Sequence, residues 1–110
     1  MVKTALLFAG QGSQFVGMGQ DLAKVHLTAQ KFFSQADEVL GYSLSEICFS
    51  GPEEDLVRTE HAQPAIYLVG WIAFQLLREQ VSSFTFDATA GLSLGEFTSL
   101  AAAETIEFKD

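Results

Sequence analysis

The sequence holds one cysteine, two prolines and six basic residues, and each scarcity removes a class of explanation. The single thiol, Cys48, allows no internal disulfide and leaves no cysteine pair for a zinc site, which suits a reducing compartment. Cys48 is expected in the core, and no metal site is expected. The six Lys and Arg face 14 Asp and Glu for a formal net charge of -8, so the field of the chain gives little attraction to nucleic-acid phosphates or anionic lipid. Lys3, Lys24, Lys31, Arg58, Arg78 and Lys109 are scattered and form no run. Long hydrophobic runs are missing too. The longest apolar stretch, Ala65 to Leu77, is too short to span a bilayer and is broken by Gly70 and Gln75. Ala5 to Ala9 is too short for the apolar region of a signal peptide, and Gln11 to Gln14 stand where a small-residue cleavage site belongs. Nucleic acid and membrane are therefore excluded as partners, and a soluble, cytoplasmic protein is expected.

What is present is a globular composition: 48% apolar and 18% charged residues over 110 positions, enough for one small domain with a packed core. Thr4 to Ala9 is a continuous apolar run ended by Gly10, the pattern of a strand covered on both faces, as in parallel sheets. Leu22, Val25, Ala29, Phe32, Phe33, Ala36 and Leu40 recur at helical spacing, predicting one helix over Asp21 to Leu40, or two with a break near His26 to Thr28. Gly41 is a natural end to it. Ser43 with Glu46 predicts a capping box opening a short helix that turns Leu44, Ile47 and Cys48 inward. Pro52 is expected at a first helical position, before Glu53, Glu54 and Asp55, in a helix ending near Thr59. Pro64 is expected to start the most apolar helix, buried on most faces. After a turn at Ser82 and Ser83, Thr85 to Ala90 reads as a second strand. Leu94, Phe97, Leu100 and Ala101 then repeat at helical spacing, giving strand, sharp turn and helix across Gly91 to Ala103, with another helix beginning before Asp110.

Two glycine motifs invite chemistry. Gly91-Leu92-Ser93-Leu94-Gly95 matches the nucleophile elbow, Gly-x-Ser-x-Gly, at a handover from strand to helix. The turn is so tight that side chains at the glycine positions collide with backbone, while the serine is held strained with its hydroxyl outward at the positive end of a helix. The alternative reading is a glycine-rich turn with Ser93 as a helix cap. Gly10-Gln11-Gly12 fails both nucleotide fingerprints, because Phe15 stands where a dinucleotide loop needs its third glycine and Met18 where a P-loop needs lysine. It is either a plain turn or a loop whose N-H groups face an anion, the place from which oxyanion donors come in elbow folds. His26 and His61 are the two candidate bases. Neither has an acidic partner at an obvious distance, and both read as surface or helix-end histidines.

Gly10-Gln11-Gly12-Ser13-Gln14, Thr59-Glu60-His61-Ala62-Gln63-Pro64-Ala65 and Gly91-Leu92-Ser93-Leu94-Gly95-Glu96, in this order, resemble the N-terminal part of malonyl-CoA:acyl carrier protein transacylase, the acyltransferase domain of fatty acid and polyketide synthases. The resemblance runs the length of the chain. It implies an α/β fold: the N-terminal part of an α/β-hydrolase-like large subdomain, with short parallel strands, a strand-elbow-helix turn and an incomplete sheet. It also implies ping-pong transfer of a malonyl group from malonyl-CoA to the phosphopantetheine thiol of acyl carrier protein, with no cofactor of the enzyme's own. Ser93 is then the nucleophile, the N-H groups of Gln11 and Leu94 the oxyanion hole, and Gln63 a lining residue near the acyl group.

Two departures from the family pattern stand out. Leu92 replaces the family's usual elbow histidine, and the chain stops before the family's general-base histidine and the arginine that pairs with malonyl carboxylate. The expectation is therefore a fragment, residues 1-110 being an incomplete portion of the large subdomain that needs the remainder of its domain as partner and is inactive alone. Two other readings share these residues: a serine esterase or thioesterase, in which water replaces the thiol, and a noncatalytic scaffold that kept the fold.

Overall fold

The computed structural model describes residues 3–104 and 106–109. Strand β1 is Ala5–Phe8; helices α1 to α5 follow at Gln20–Val25, Leu27–Leu40, Leu44–Ser50, Glu53–Leu56 and Thr59–Gln80; β2 is Ala88–Gly91 and α6 is Gly95–Ala102. The strands pair in parallel, from Ala5 with Ala88 to Phe8 with Gly91. Thr4 and Asp87 extend the pairing at one end: the Asp87 N-H donates to the Thr4 carbonyl (2.8 Å) and the Thr4 N-H to the Asp87 carboxylate (2.7 Å). At the other end the Leu92 N-H donates to the Phe8 carbonyl at 3.2 Å.

Alternation decides which face is covered. Leu6, Phe8, Thr89 and Gly91 point to one face and are partly buried, with the Phe8 ring edge-on to Phe74 of α5. Ala5, Leu7, Ala88 and Ala90 point to the other and are exposed, Leu7 by 80%. The expectation of a strand covered on both faces is thus corrected. Both helices that meet the sheet, α5 and α6, lie on one side, and among the described residues nothing covers the other.

The helices bury their apolar stripes around α5, whose Ala65, Ile66, Leu68, Ile72 and Leu76 meet Phe33, Leu44, Cys48 and Leu56 in one cluster. Cys48 is fully buried as expected, and burial pushes its thiol up to about 12, so it stays protonated and inert at neutral pH. The 21–40 stretch is two helices, broken at His26, whose extended φ and ψ end α1 and start α2. Val25 and Leu40 of the expected stripe are exposed. Gly41 closes α2 in the left-handed conformation, φ 80.

Four expectations at helix ends are corrected. The Ser43–Glu46 capping box does not form, because Asp37 of α2 reaches over and accepts from the Ser45 N-H (2.9 Å) and the Ser45 hydroxyl (2.5 Å). Pro52 caps α4 in extended conformation, one position before the first helical residue, and α4 ends at Leu56. Helix α5 begins at Thr59, so Pro64 lies inside it. After α6 the described residues form turns and no second helix; Thr105 and Asp110 lie outside the described residues. Strand β2 also starts later than expected, at Ala88, after a turn at Ser82 and Ser83 that is as expected.

Pro64 explains its own tolerance. It has no N-H to give to the carbonyl of Glu60, one turn back, and that carbonyl accepts instead from the Tyr42 hydroxyl at 3.3 Å. Burial, Glu60, Cys48 and Asp37 all push the Tyr42 hydroxyl up, so it remains a donor. Tyr42→Phe removes this substitute bond and is expected to lower stability by about 0.5–1 kcal/mol, read as an earlier urea midpoint with unchanged slope.

No helix among the described residues is long and apolar enough to cross a membrane. None of their His, Cys, Asp and Glu side chains gather in threes to hold a metal.

Candidate active site

Three backbones converge where β2 ends. A Cβ on Gly91 would lie 2.0 Å from the carbonyl of Gly95, one on Gly95 would lie 2.2 Å from the Phe8 carbonyl oxygen, and one on Gly10 would lie 2.3 Å from the Leu92 carbonyl oxygen. Only glycine permits these approaches. Gly91 and Gly95 let the first turn of α6 sit against the ends of β2 and β1, and Gly10 brings the first loop against the elbow. The sequence motif accounts for the first two. For Gly10 the sequence indicates the end of a strand and a glycine loop, and the contact with the elbow comes from the fold.

Between the glycines the chain turns through Ser93 at φ 55, one of two non-glycine residues among those described with positive φ. The left-handed region costs a serine of order 1 kcal/mol or more, and such strain persists only where the surroundings impose it. Ser93 is exposed, and its hydroxyl makes no hydrogen bond among the described residues. The capping alternative is not what the fold uses. The residue flanking α6 is Leu94, and no side chain caps the helix.

The first N-H groups of a helix lack partners within it. In α6 those of Gly95, Glu96 and Phe97 donate to the carbonyls of Leu92, Ser93 and Leu94, each at 3.0 Å. The Leu94 N-H, next to the serine, has no acceptor among the described residues, nor has that of Gln11. Gln11 follows the end of β1 and Leu94 the end of β2, and because the strands are parallel the loops that carry the two expected oxyanion donors leave the same end of the sheet. Gln63, partly buried on α5, shares with Leu94 a cleft of about 210 Å³ that Pro64, Tyr67, Phe97 and Ile106 complete. The four residues singled out in the sequence are thus gathered at one end of the fold.

The elbow helix is held from below. Ser99, in α6, donates its hydroxyl to Thr89 Oγ1 at 2.6 Å, and Thr89 in β2 donates on to the Ser99 carbonyl at 3.2 Å. Leu94 and Ala101 of α6 are buried, whereas Phe97 and Leu100 face outward, 56% and 39% exposed. The reason is that the sheet side of α6 takes its small residues, Thr98, Ser99 and Ala102. Leu92, 76% exposed, contributes no packing at the elbow.

The histidines lie apart from the serine. His61 is in the first turn of α5, with Nδ1 2.7 Å from the Asp55 carbonyl oxygen and its ring against Tyr42. Two residues before Gln63, it points to a different side of the helix. His26 joins α1 to α2. Of the nearby basic residues, Arg58 is ion-paired with Glu60.

The Bacillus subtilis malonyl CoA-acyl carrier protein transacylase is 44% identical over 110 residues, covering 100% of this chain and 34% of its own length. Among solved structures, the Synechocystis malonyl-CoA:ACP transacylase superposes with TM-score 0.90 at 44% identity, over 98% of this chain and 36% of its own. A malonyl-transacylase in complex with a type II polyketide synthase acyl carrier protein superposes with TM-score 0.92 at 37% identity, over 98% and 35%. The chain thus spans about a third of the length of the relatives it matches. The acyl transferase domain model matches residues 5–110, and with the elbow, its glycines and this similarity along the whole chain, the protein belongs to the acyl transferase domain family.

Proposed function

We propose that this chain is the N-terminal, nucleophile-bearing part of the α/β-hydrolase-like large subdomain of a malonyl-CoA:acyl carrier protein transacylase, working in the cytoplasm in fatty acid or polyketide synthesis. The observation that carries the reading is Ser93 itself. Its backbone is strained at φ 55, its hydroxyl is exposed, and the N-H that follows it has no acceptor among the described residues.

Ser93 Oγ attacks the thioester carbonyl of malonyl-CoA and gives up its proton, and the carbonyl oxygen becomes an oxyanion. The N-H groups of Leu94 and Gln11 stabilise that charge, each such donor contributing about 3 to 4 kcal/mol. The intermediate expels the coenzyme A thiolate, which takes a proton, and leaves malonyl as an ester on Ser93. The phosphopantetheine thiol of acyl carrier protein repeats the attack in reverse and frees the serine. Gln63, beside Leu94 in the cleft, is the residue placed to hold the acyl group. The base that takes the serine proton and the cation for the malonyl carboxylate belong to the remainder of the acyltransferase domain. No cofactor takes part.

The test is to incubate the complete protein with malonyl-CoA, with and without carrier protein, and to follow the products by mass spectrometry. Malonyl ester on Ser93 and malonyl on the carrier are expected, both lost in Ser93→Ala. Free malonate as the dominant product would make the protein an esterase or thioesterase, and no ester at all would make it a scaffold.

A further inference from the structure

We infer that Thr59 and the side chain of Gln11 form a positioning pair that fixes the oxyanion loop at the nucleophile, an inference that rests on the reading of Ser93 as acyl acceptor. Gln11 Nε2 donates to Thr59 Oγ1 at 3.1 Å, linking the loop after β1 to the first residue of α5. The other hydrogen bonds of residues 10–14 stay inside the loop: the Ser13 N-H and hydroxyl donate to the Gly10 carbonyl at 3.3 and 2.8 Å, and the Gly12 N-H donates to Gln14 Oε1 at 2.8 Å. Among the described residues, the bond to Thr59 is the single hydrogen bond that ties this segment to another element.

The two halves of the proposed oxyanion hole are therefore held unequally. Leu94 flanks a helix clamped to β2 by the part-buried Thr89–Ser99 pair and by the glycine contacts. Gln11 stands between two glycines, one of them at φ 109, in a segment whose own backbone resists little. The close approach of Gly10 to Leu92 holds one side of it, and the Gln11 amide holds it from the other by reaching across to α5. Thr59 suits the purpose because it lies one helical turn before Gln63 on the same face of α5. One rigid helix thus references both the loop and the residue proposed to hold the acyl group. Small misplacements of catalytic groups lower the rate of chemistry far more than they lower binding.

The experiment measures kcat and KM for malonyl transfer by the complete protein, with melting temperatures, for Thr59→Val, Thr59→Ser, Gln11→Ala, the Thr59→Val/Gln11→Ala double variant and Ser93→Ala. Thr59→Val and Gln11→Ala are each expected to lower kcat about five- to tenfold, as for loss of one hydrogen bond, with KM for malonyl-CoA unchanged. The double variant is expected to be no slower than either single one, because the two side chains act as a unit. Thr59→Ser keeps the hydroxyl and is expected to restore kcat. Thr59 is exposed, so melting temperatures should not move. Wild-type kcat in Thr59→Val, or losses that multiply in the double variant, overturns the pairing while an inactive Ser93→Ala leaves the reading of the serine intact. Transfer surviving in Ser93→Ala overturns both.

Discussion

Gly91→Ala is expected to destabilise the chain by about 3 kcal/mol or more, the upper end of what overpacking does, because the added methyl meets backbone alone. Its Cβ would stand 2.0 Å from the carbonyl carbon and oxygen of Gly95 and 2.4 Å from the Glu96 nitrogen. No rotamer relieves a clash with main chain. The first turn of α6 would have to lift from β2, and the Thr89–Ser99 bonds would go with it. Gly95→Ala is expected to behave alike, with its Cβ 2.2 Å from the Phe8 carbonyl oxygen and 2.9 Å from that of Ala9. A domain typically has only about 5–15 kcal/mol of net stability, and two short strands add little of their own, so either change removes a large part of what holds the elbow. Equilibrium urea unfolding reads the effect directly. Gly70→Ala is the control: its nearest new contact, with the Thr98 methyl, is 3.4 Å away, and the gain in helix propensity is about 1 kcal/mol, so that variant should be at least as stable as wild type. If Gly91→Ala matched it, the close approach would not be what makes the glycine necessary.

The elbow was legible because its chemistry and its sterics ask for the same letters. Gly91, Ser93 and Gly95 announce a turn too tight for side chains, and the structure supplies that turn with Ser93 at φ 55. Gly41 and Cys48 were legible for the same local reasons, a left-handed helix end and a small apolar side chain. What depends on a distant partner was not. Pro64 looks like a helix start, since proline suits a first turn, yet it lies inside α5, where the Tyr42 hydroxyl, from a different element, bonds the carbonyl that proline leaves without its usual donor. Ser43 and Glu46 spell a capping box, but Asp37 engages Ser45 instead. Phe97 and Leu100 are apolar at helical spacing, yet the sheet accepts only the small residues of α6. Leu7 belongs to an apolar run, and whether such a run is covered on one face or two depends on layers that its own letters do not encode. Thr59 is the counterpart at the site: it was visible as the first letter of a motif, and its bond to Gln11 becomes visible only when loop and helix are brought together.

The chain alone is expected to transfer no malonyl group at a useful rate, although the proposed nucleophile, Ser93, is exposed. A serine hydroxyl is a weak nucleophile until a base takes its proton, and removing the base of a serine enzyme costs on the order of a millionfold in kcat. Neither histidine supplies that base. His61 is turned to a different side of α5 from Gln63, with Nδ1 engaged at the Asp55 carbonyl, and His26 sits at the junction of α1 and α2. Nor is a cation among the described residues that line the cleft beside Leu94, where the polar side chains are the uncharged Gln63 and Tyr67; a malonyl carboxylate would meet no opposite charge there. The proposed oxyanion donors, the N-H groups of Gln11 and Leu94, do not make up for this, because a preorganised hole lowers the barrier only for an attack that can begin. Intact-mass measurement of the isolated chain after incubation with malonyl-CoA should show no adduct, while the complete protein forms one within its first turnover. A malonyl ester on the isolated chain, absent from Ser93→Ala, would mean that a base had been overlooked among these residues, and His61, which shares α5 with Gln63, would be the first to replace.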